Sequence, residues 1–120
     1  MSSVGVRQAE ATARAESLRF TATVAADDEF EFGSARWDLI ALIFTIEKRT
    51  VHRVRDALRP DGLVVVEAGI NADPAASFGY APGELLKIFA DFDILTHEQV
   101  EGAYDWGPER IHLVRFVARK

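Results

Sequence analysis

Two uninterrupted apolar runs, with a stretch of helical pattern between them, decide what this chain can fold into. The first is Asp38-Leu39-Ile40-Ala41-Leu42-Ile43-Phe44 and the second is Leu63-Val64-Val65-Val66-Glu67. Neither alternates apolar with polar. A short continuous run is how a strand covered on both faces reads, as in a parallel sheet flanked by helices. Between them, residues Ile46 to Leu58 predict a helix, because Val51, Val54 and Leu58 recur at i, i+3 and i+7. Pro60 and Gly62 stop that helix and turn the chain into the second run. Strand, crossover helix and parallel strand make one right-handed βαβ unit.

The remaining segments add to this unit. Val4 to Ser17 reads as a helix, with alanines at 9, 11, 13 and 15 and a serine available before it as N-cap. Arg19 to Ala26 alternates and is rich in β-formers, which predicts a strand. It runs into the acidic cluster Asp27-Asp28-Glu29. Asn71 to Pro82 is a polar, small-residue loop of a length that often carries function. Pro82 and Glu84 suit the start of a helix whose buried side is Leu85, Leu86, Ile88 and Phe89. Phe92 to Val100 and Ile111 to Ala118 read as two further strands. The whole is an α/β chain, read as one domain over residues 1–120.

Composition excludes several functions. The net charge of −5 argues against an electrostatic nucleic-acid binder. There is no cysteine, so disulfides, thiolate catalysis and Cys-based zinc sites are ruled out. No apolar run reaches the roughly 18 residues needed to span a bilayer, so no membrane partner is expected. The N-terminus lacks the pattern of a signal peptide, and the default location is the cytoplasm. His52, His97 and His112 are dispersed, without metal-ligand spacing, and no metal is expected. No Gly-x-Ser-x-Gly supports a hydrolase triad. A phosphorelay receiver domain fails because no acid ends the Asp38 strand, where its phosphoacceptor belongs.

Taken in order, Trp37-Asp38-Leu39-Ile40, then Leu58-Arg59-Pro60-Asp61-Gly62 before the second run, then the closing Leu113-Val114-Arg115-Phe116-Val117-Ala118-Arg119-Lys120, resemble the C-terminal part of a class I S-adenosylmethionine-dependent methyltransferase. That family has a Rossmann-like sheet, here expected to be incomplete and mostly parallel, with an antiparallel final strand. It usually shows Leu-Lys/Arg-Pro-Gly-Gly before the second run, so Asp61 departs from the pattern. The resemblance implies methyl transfer by in-line displacement, driven mainly by positioning, to an unidentified acceptor, most simply a small molecule.

The same register implies a cofactor-binding set. Met1 falls where the family places an apolar residue against the adenine. Asp27 and Asp28 fall at the adenine amino edge. Ile43 and Phe44 end a strand at the crevice above the carboxyl ends, where α/β sheets bind ligands. Glu67 ends the next strand and is expected to face that crevice. No catalytic residue can be named.

The family's first two strands, its Gly-rich loop and its ribose-binding acid would precede Met1. Their loss would remove roughly 4 kcal/mol or more, about a thousandfold in affinity, so the isolated chain is expected to be inactive and to bind S-adenosylmethionine weakly or not at all. A misassigned start would have the coding frame continue upstream into that segment. The Asp38 strand would present an open edge, available for self-association or a partner chain. The alternatives are a non-catalytic remnant, an interaction module, or one half of a split enzyme. Asp38, Trp37, Trp106 and the cationic helix residues Lys48 to Arg55 are read as structural or solvated.

Overall fold

A computed structural model describes residues 3–26, 28–44, 48–73, 76, 79–103 and 110–120. Its elements in order are helix α1 (Ser3–Ala15), strand β1 (Trp37–Ile43), a 3-10 turn (Lys48–Thr50) leading into helix α2 (Val51–Ala57), strand β2 (Leu58–Gly69), helix α3 (Glu84–Ile88), and strands β3 (Asp93–Ala103) and β4 (Arg110–Arg119). The chain divides into two compact units, Met1–Glu31 and Phe32–Lys120.

In the N-terminal unit, α1 matches the predicted helix, and Ala13 is buried. The predicted strand over Arg19 to Ala26 does not form: these residues carry no regular structure. Their β-propensity is real, but propensity expresses fit to a pleated, paired surface, and among the described residues no strand pairs with them. The segment ends in a turn closed by the amides of Glu29 and Phe30 on the Ala26 carbonyl.

The C-terminal unit is built on a sheet of order β1-β2-β4-β3. β1 and β2 are parallel, in register from Leu39 opposite Leu63 to Ile43 opposite Glu67. β4 is antiparallel to both β2 and β3. Three strands therefore run one way, and the last strand of the sequence is inserted against them. The parallel βαβ reading and the antiparallel final strand are both as the sequence predicts.

One face of this sheet is the core. Ile40 and Leu42 of β1, Val64, Val66 and Ala68 of β2, and Val114, Phe116 and Ala118 of β4 are buried together with Val51, Val54 and Ala57 of α2 and Leu85 and Phe89 of α3. Val51, Val54 and Leu58 are all fully buried, so the predicted helical stripe is correct. Leu58, however, is already the first residue of β2. Truncating a residue so placed costs about 2–5 kcal/mol. Phe89 is the hub of the aromatic packing, with ring centroids 5.1 Å from Phe92 and 5.4 Å from Phe116.

The other face of β1 is open. Leu39 is 52% exposed and Ile43 45%. The continuous apolar run predicts two covered faces, and the strand has one. Leu86 likewise departs from its expected burial, at 37% exposed on α3.

The C-terminus of α2 is held from two directions. Helices leave their last carbonyls without intrahelical partners. Here the Asp56 and Ala57 carbonyls accept the amides of Ala35 and Arg36, at 2.9 and 2.8 Å. The Lys120 ammonium donates to the carbonyls of Arg55 and Leu58, at 2.7 and 2.9 Å. Trp37 anchors the entry to β1, its indole N–H donating to the Phe32 carbonyl at 2.6 Å. Asp38 pairs with Arg59 at 2.9 Å on the surface. Both residues are structural, as the sequence implies; Trp106 lies outside the described residues. Among the described residues, no helix is long and apolar enough to cross a membrane.

Candidate functional site

Parallel strands bring their carboxyl ends to one side, so β1 and β2 end on the same side of the sheet. The ladder continues one residue past β1: the Phe44 amide donates to the Glu67 carbonyl at 2.9 Å. Phe44 then adopts φ 53°, a left-handed backbone that bulky residues rarely occupy. Such strain persists only where the surroundings enforce it, and it clusters at functional sites. Ile43, just before it, is exposed.

β2 runs further than β1. The Ile70 amide reaches the His112 carbonyl at 2.8 Å, and Ile70 bridges in parallel to Tyr80. The Asn71 to Pro82 loop thus closes back on the strand it leaves: the Tyr80 amide donates to the Gly69 carbonyl, and the Asn71 amide to the Tyr80 carbonyl. Gly79 permits this closure, because it holds φ 76° and a Cβ there would lie 2.9 Å from the Gly69 carbonyl oxygen.

Beside this closure lies a polar group that sequence reasoning did not single out. Tyr80 is buried, and its hydroxyl has no hydrogen-bond partner among the described residues. Burial, and then the nearby Glu84 carboxylate, push that hydroxyl up to about 12. Glu84 Oε2 accepts the Ala81 amide at 2.7 Å, which fixes the start of α3. The same oxygen lies 2.8 Å from Lys48 Nζ. The sequence puts Lys48 on a solvated face, yet its side chain is only 14% exposed. It ties the turn after β1 to α3, across a sequence separation that no local pattern reveals. Arg55 also leaves the solvated face: it forks onto Asp91 at 2.6 Å and lies over the Phe92 ring.

The structure places the expected residues unevenly. Met1 and Asp27 lie outside the described residues. Asp28 is exposed, in the turn of the N-terminal unit. Ile43 and Phe44 stand together at the end of β1 and meet the backbone of Glu67. Glu67 itself departs from expectation. It is not the last residue of its strand, and its carboxylate is bound sideways by Arg115 of β4 at 2.7 Å. The insertion of β4 beside β2 places that arginine directly opposite, in register. Glu67 is therefore a cross-strand ion-pair partner, two residues before the end of β2.

No family model matches the chain, and no curated protein matches it in sequence. Solved structures do match in fold. TehB from Haemophilus influenzae is similar with a TM-score of 0.80 at 18% identity, over 99% of this chain and 47% of TehB. A SAM-dependent methyltransferase from Methanosarcina mazei is similar with a TM-score of 0.71 at 17% identity, over 99% of this chain and 78% of its own. The 1,6-didemethyltoxoflavin-N1-methyltransferase of Burkholderia thailandensis, solved with S-adenosylhomocysteine, is similar with a TM-score of 0.59 at 20% identity, over 92% of this chain and 55% of its own. The chain thus spans about half the length of TehB. At such identities the likeness is one of fold. The parallel β1–β2 pair, the inserted antiparallel β4 and these neighbours together establish that the chain has the class I S-adenosylmethionine-dependent methyltransferase fold.

Proposed function

We propose that this chain is the C-terminal part of an S-adenosylmethionine-dependent methyltransferase domain acting on a small-molecule acceptor. The observation that carries the reading is the end of β1. There Ile43 is exposed and Phe44 is held in a left-handed backbone by its bond to Glu67, at the carboxyl edge where sheets of this class take ligands. The reading makes Ile43 and Phe44 one apolar wall of the cofactor site.

The described residues do not fit the cofactor by themselves. Ile43 and Phe44 offer apolar surface, but the acid in register beside them, Glu67, is committed to Arg115. The remaining contacts belong to further polypeptide, in the same protein or in trans. The 120-residue chain alone is accordingly inactive in this reading.

Calorimetric titration with S-adenosylhomocysteine tests it. The chain alone is expected to show no micromolar binding. The chain co-expressed with a polypeptide bearing a strand and Gly-rich loop is expected to bind, and Phe44→Ala in that assembly to weaken binding about tenfold or more. Micromolar binding by the chain alone would reject its incompleteness. An assembly that forms but never binds would reject the methyltransferase reading.

A further inference from the structure

The segments that follow β1 and β2 leave the same side of the sheet, and both come to one carboxylate. At the start of the 3-10 turn after β1, Lys48 Nζ lies 2.8 Å from Glu84 Oε2. The contact is one of charge: Nζ is out of line for a hydrogen bond there, and it makes none elsewhere among the described residues. The same oxygen accepts the Ala81 amide at 2.7 Å. Ala81 follows Tyr80, whose backbone is bonded to Gly69 at the end of β2 and to Asn71 just past it. A single oxygen thus joins the chain leaving β1 to the loop leaving β2.

Both joined segments hold backbone that must be enforced. Phe44 has φ 53°, and the loop and the start of α3 turn through Gly79 and Gly83 at φ 76° and 73°. A phenylalanine stays in the left-handed region only while its surroundings over-determine it. Its amide bond to Glu67 fixes Phe44 from the strand side. Lys48 anchors the chain on the other side. The Lys48 and Glu84 side chains are 14% and 27% exposed, so both are largely withdrawn from water. Removing the ammonium leaves a part-buried carboxylate without its countercharge, and turning outward to water relieves that cost. A carboxylate that turns outward also releases the Ala81 amide.

We propose that Lys48 and Glu84 are positioning residues of the candidate site, and that their ion pair makes the Phe44 turn and the Tyr80 closure open and close as one unit. The positioning role rests on the methyltransferase reading; the coupling does not. A ligand resting on Ile43 and Phe44 is then felt at the loop that closes on Tyr80, and the reverse holds as well.

Amide hydrogen exchange on the full chain tests the coupling. Lys48→Met keeps the stem and removes the charge. It should speed exchange at Phe44 about fivefold, and at Asn71 and Tyr80 by a similar factor, although the substitution touches neither. The amides of the β2–β4 ladder should keep their rates, and Lys48→Arg should keep parent rates throughout. Should Lys48→Met fail to fold, Lys48→Gln removes the same charge and carries the same expectation. Faster exchange at Phe44 alone overturns the coupling, since the two segments then open separately. Unchanged rates overturn it too, as does an equal rise across the β2–β4 ladder, which is general destabilisation. In the co-expressed assembly, Lys48→Met should weaken S-adenosylhomocysteine binding about threefold or more, with Lys48→Arg close to the parent. Equal binding with and without the ammonium overturns the positioning role. An assembly that never binds rejects the methyltransferase reading and the positioning role with it, while the exchange rates still decide the coupling.

Discussion

Lys120 Nζ stands 2.7 Å from the Arg55 carbonyl, so the last residue of the chain caps a helix in its middle. The same ammonium reaches Leu58 O, and the Lys120 backbone exchanges hydrogen bonds with Asp61 and Gly62. A cation at a helix C-terminus interacts favourably with the aligned carbonyl dipoles. The bond to Leu58 is partly buried, while that to Arg55 is exposed and screened. Lys120→Met keeps the stem and removes the charge. It should cost about 1 kcal/mol in urea unfolding. No change in midpoint would mean that water caps α2 equally well.

Asp61 and Gly62, next to this clasp, carry opposite demands. Asp61 holds φ 64°, a region that favours glycine, so the departure from Pro-Gly-Gly is accommodated at some backbone cost. Gly62 has no room for a side chain: a Cβ would sit 2.9 Å from the Arg59 oxygen and 3.1 Å from that of Trp37. Asp61→Gly should be neutral or stabilising, by up to about 1 kcal/mol. Gly62→Ala should destabilise by about 2 kcal/mol or more. Thermal melts of the two variants moving in the same direction would contradict this account of the turn.

The ion pair between Glu67 and Arg115 is a test of what Glu67 does. Its partners are 31% and 51% exposed, so screening limits its contribution. Glu67→Gln should shift stability by less than about 1 kcal/mol. Under the proposed function, Glu67→Gln in the co-expressed assembly should leave the affinity for S-adenosylhomocysteine within about twofold, since Arg115 holds the carboxylate. A loss of binding without a loss of stability would restore Glu67 to the site.

What the sequence made legible is what local pattern encodes. The apolar runs at Leu39–Ile43 and Leu63–Val66 read as parallel strands because a helical stripe lies between them, and they pair so. Val51, Val54 and Leu58 are buried because their spacing is a helix face. What was not legible depends on partners distant in sequence. Arg19 to Ala26 has strand residues but, among the described residues, no strand that pairs with it. Lys48 meets Glu84, and Glu67 meets Arg115, only because α3 and β4 return to those places. The insertion of β4 between β2 and β3 has no local signature, and it is what sets Arg115 opposite Glu67.

Tyr80 offers the sharpest solution test. Its hydroxyl is buried without a partner among the described residues, and burial with the Glu84 charge raises it from 10.0 to about 12. An unpaired buried hydroxyl contributes little and costs desolvation. Tyr80→Phe should therefore be neutral or stabilising by about 1 kcal/mol near pH 7. The alkaline limb has a definite sign. A phenol whose proton is held more tightly in the folded state affects stability little below pH 10, where both states are protonated. Above that, the unfolded chain ionises first and stability falls, until the folded tyrosine ionises near 12. The loss amounts to about 2–3 kcal/mol. Tyr80→Phe should remove that loss between pH 10 and 12 in urea unfolding, leaving whatever Tyr104 and the lysines contribute. If the variant and the parent lose stability in parallel over that range, the Tyr80 hydroxyl is either bonded or solvated in solution.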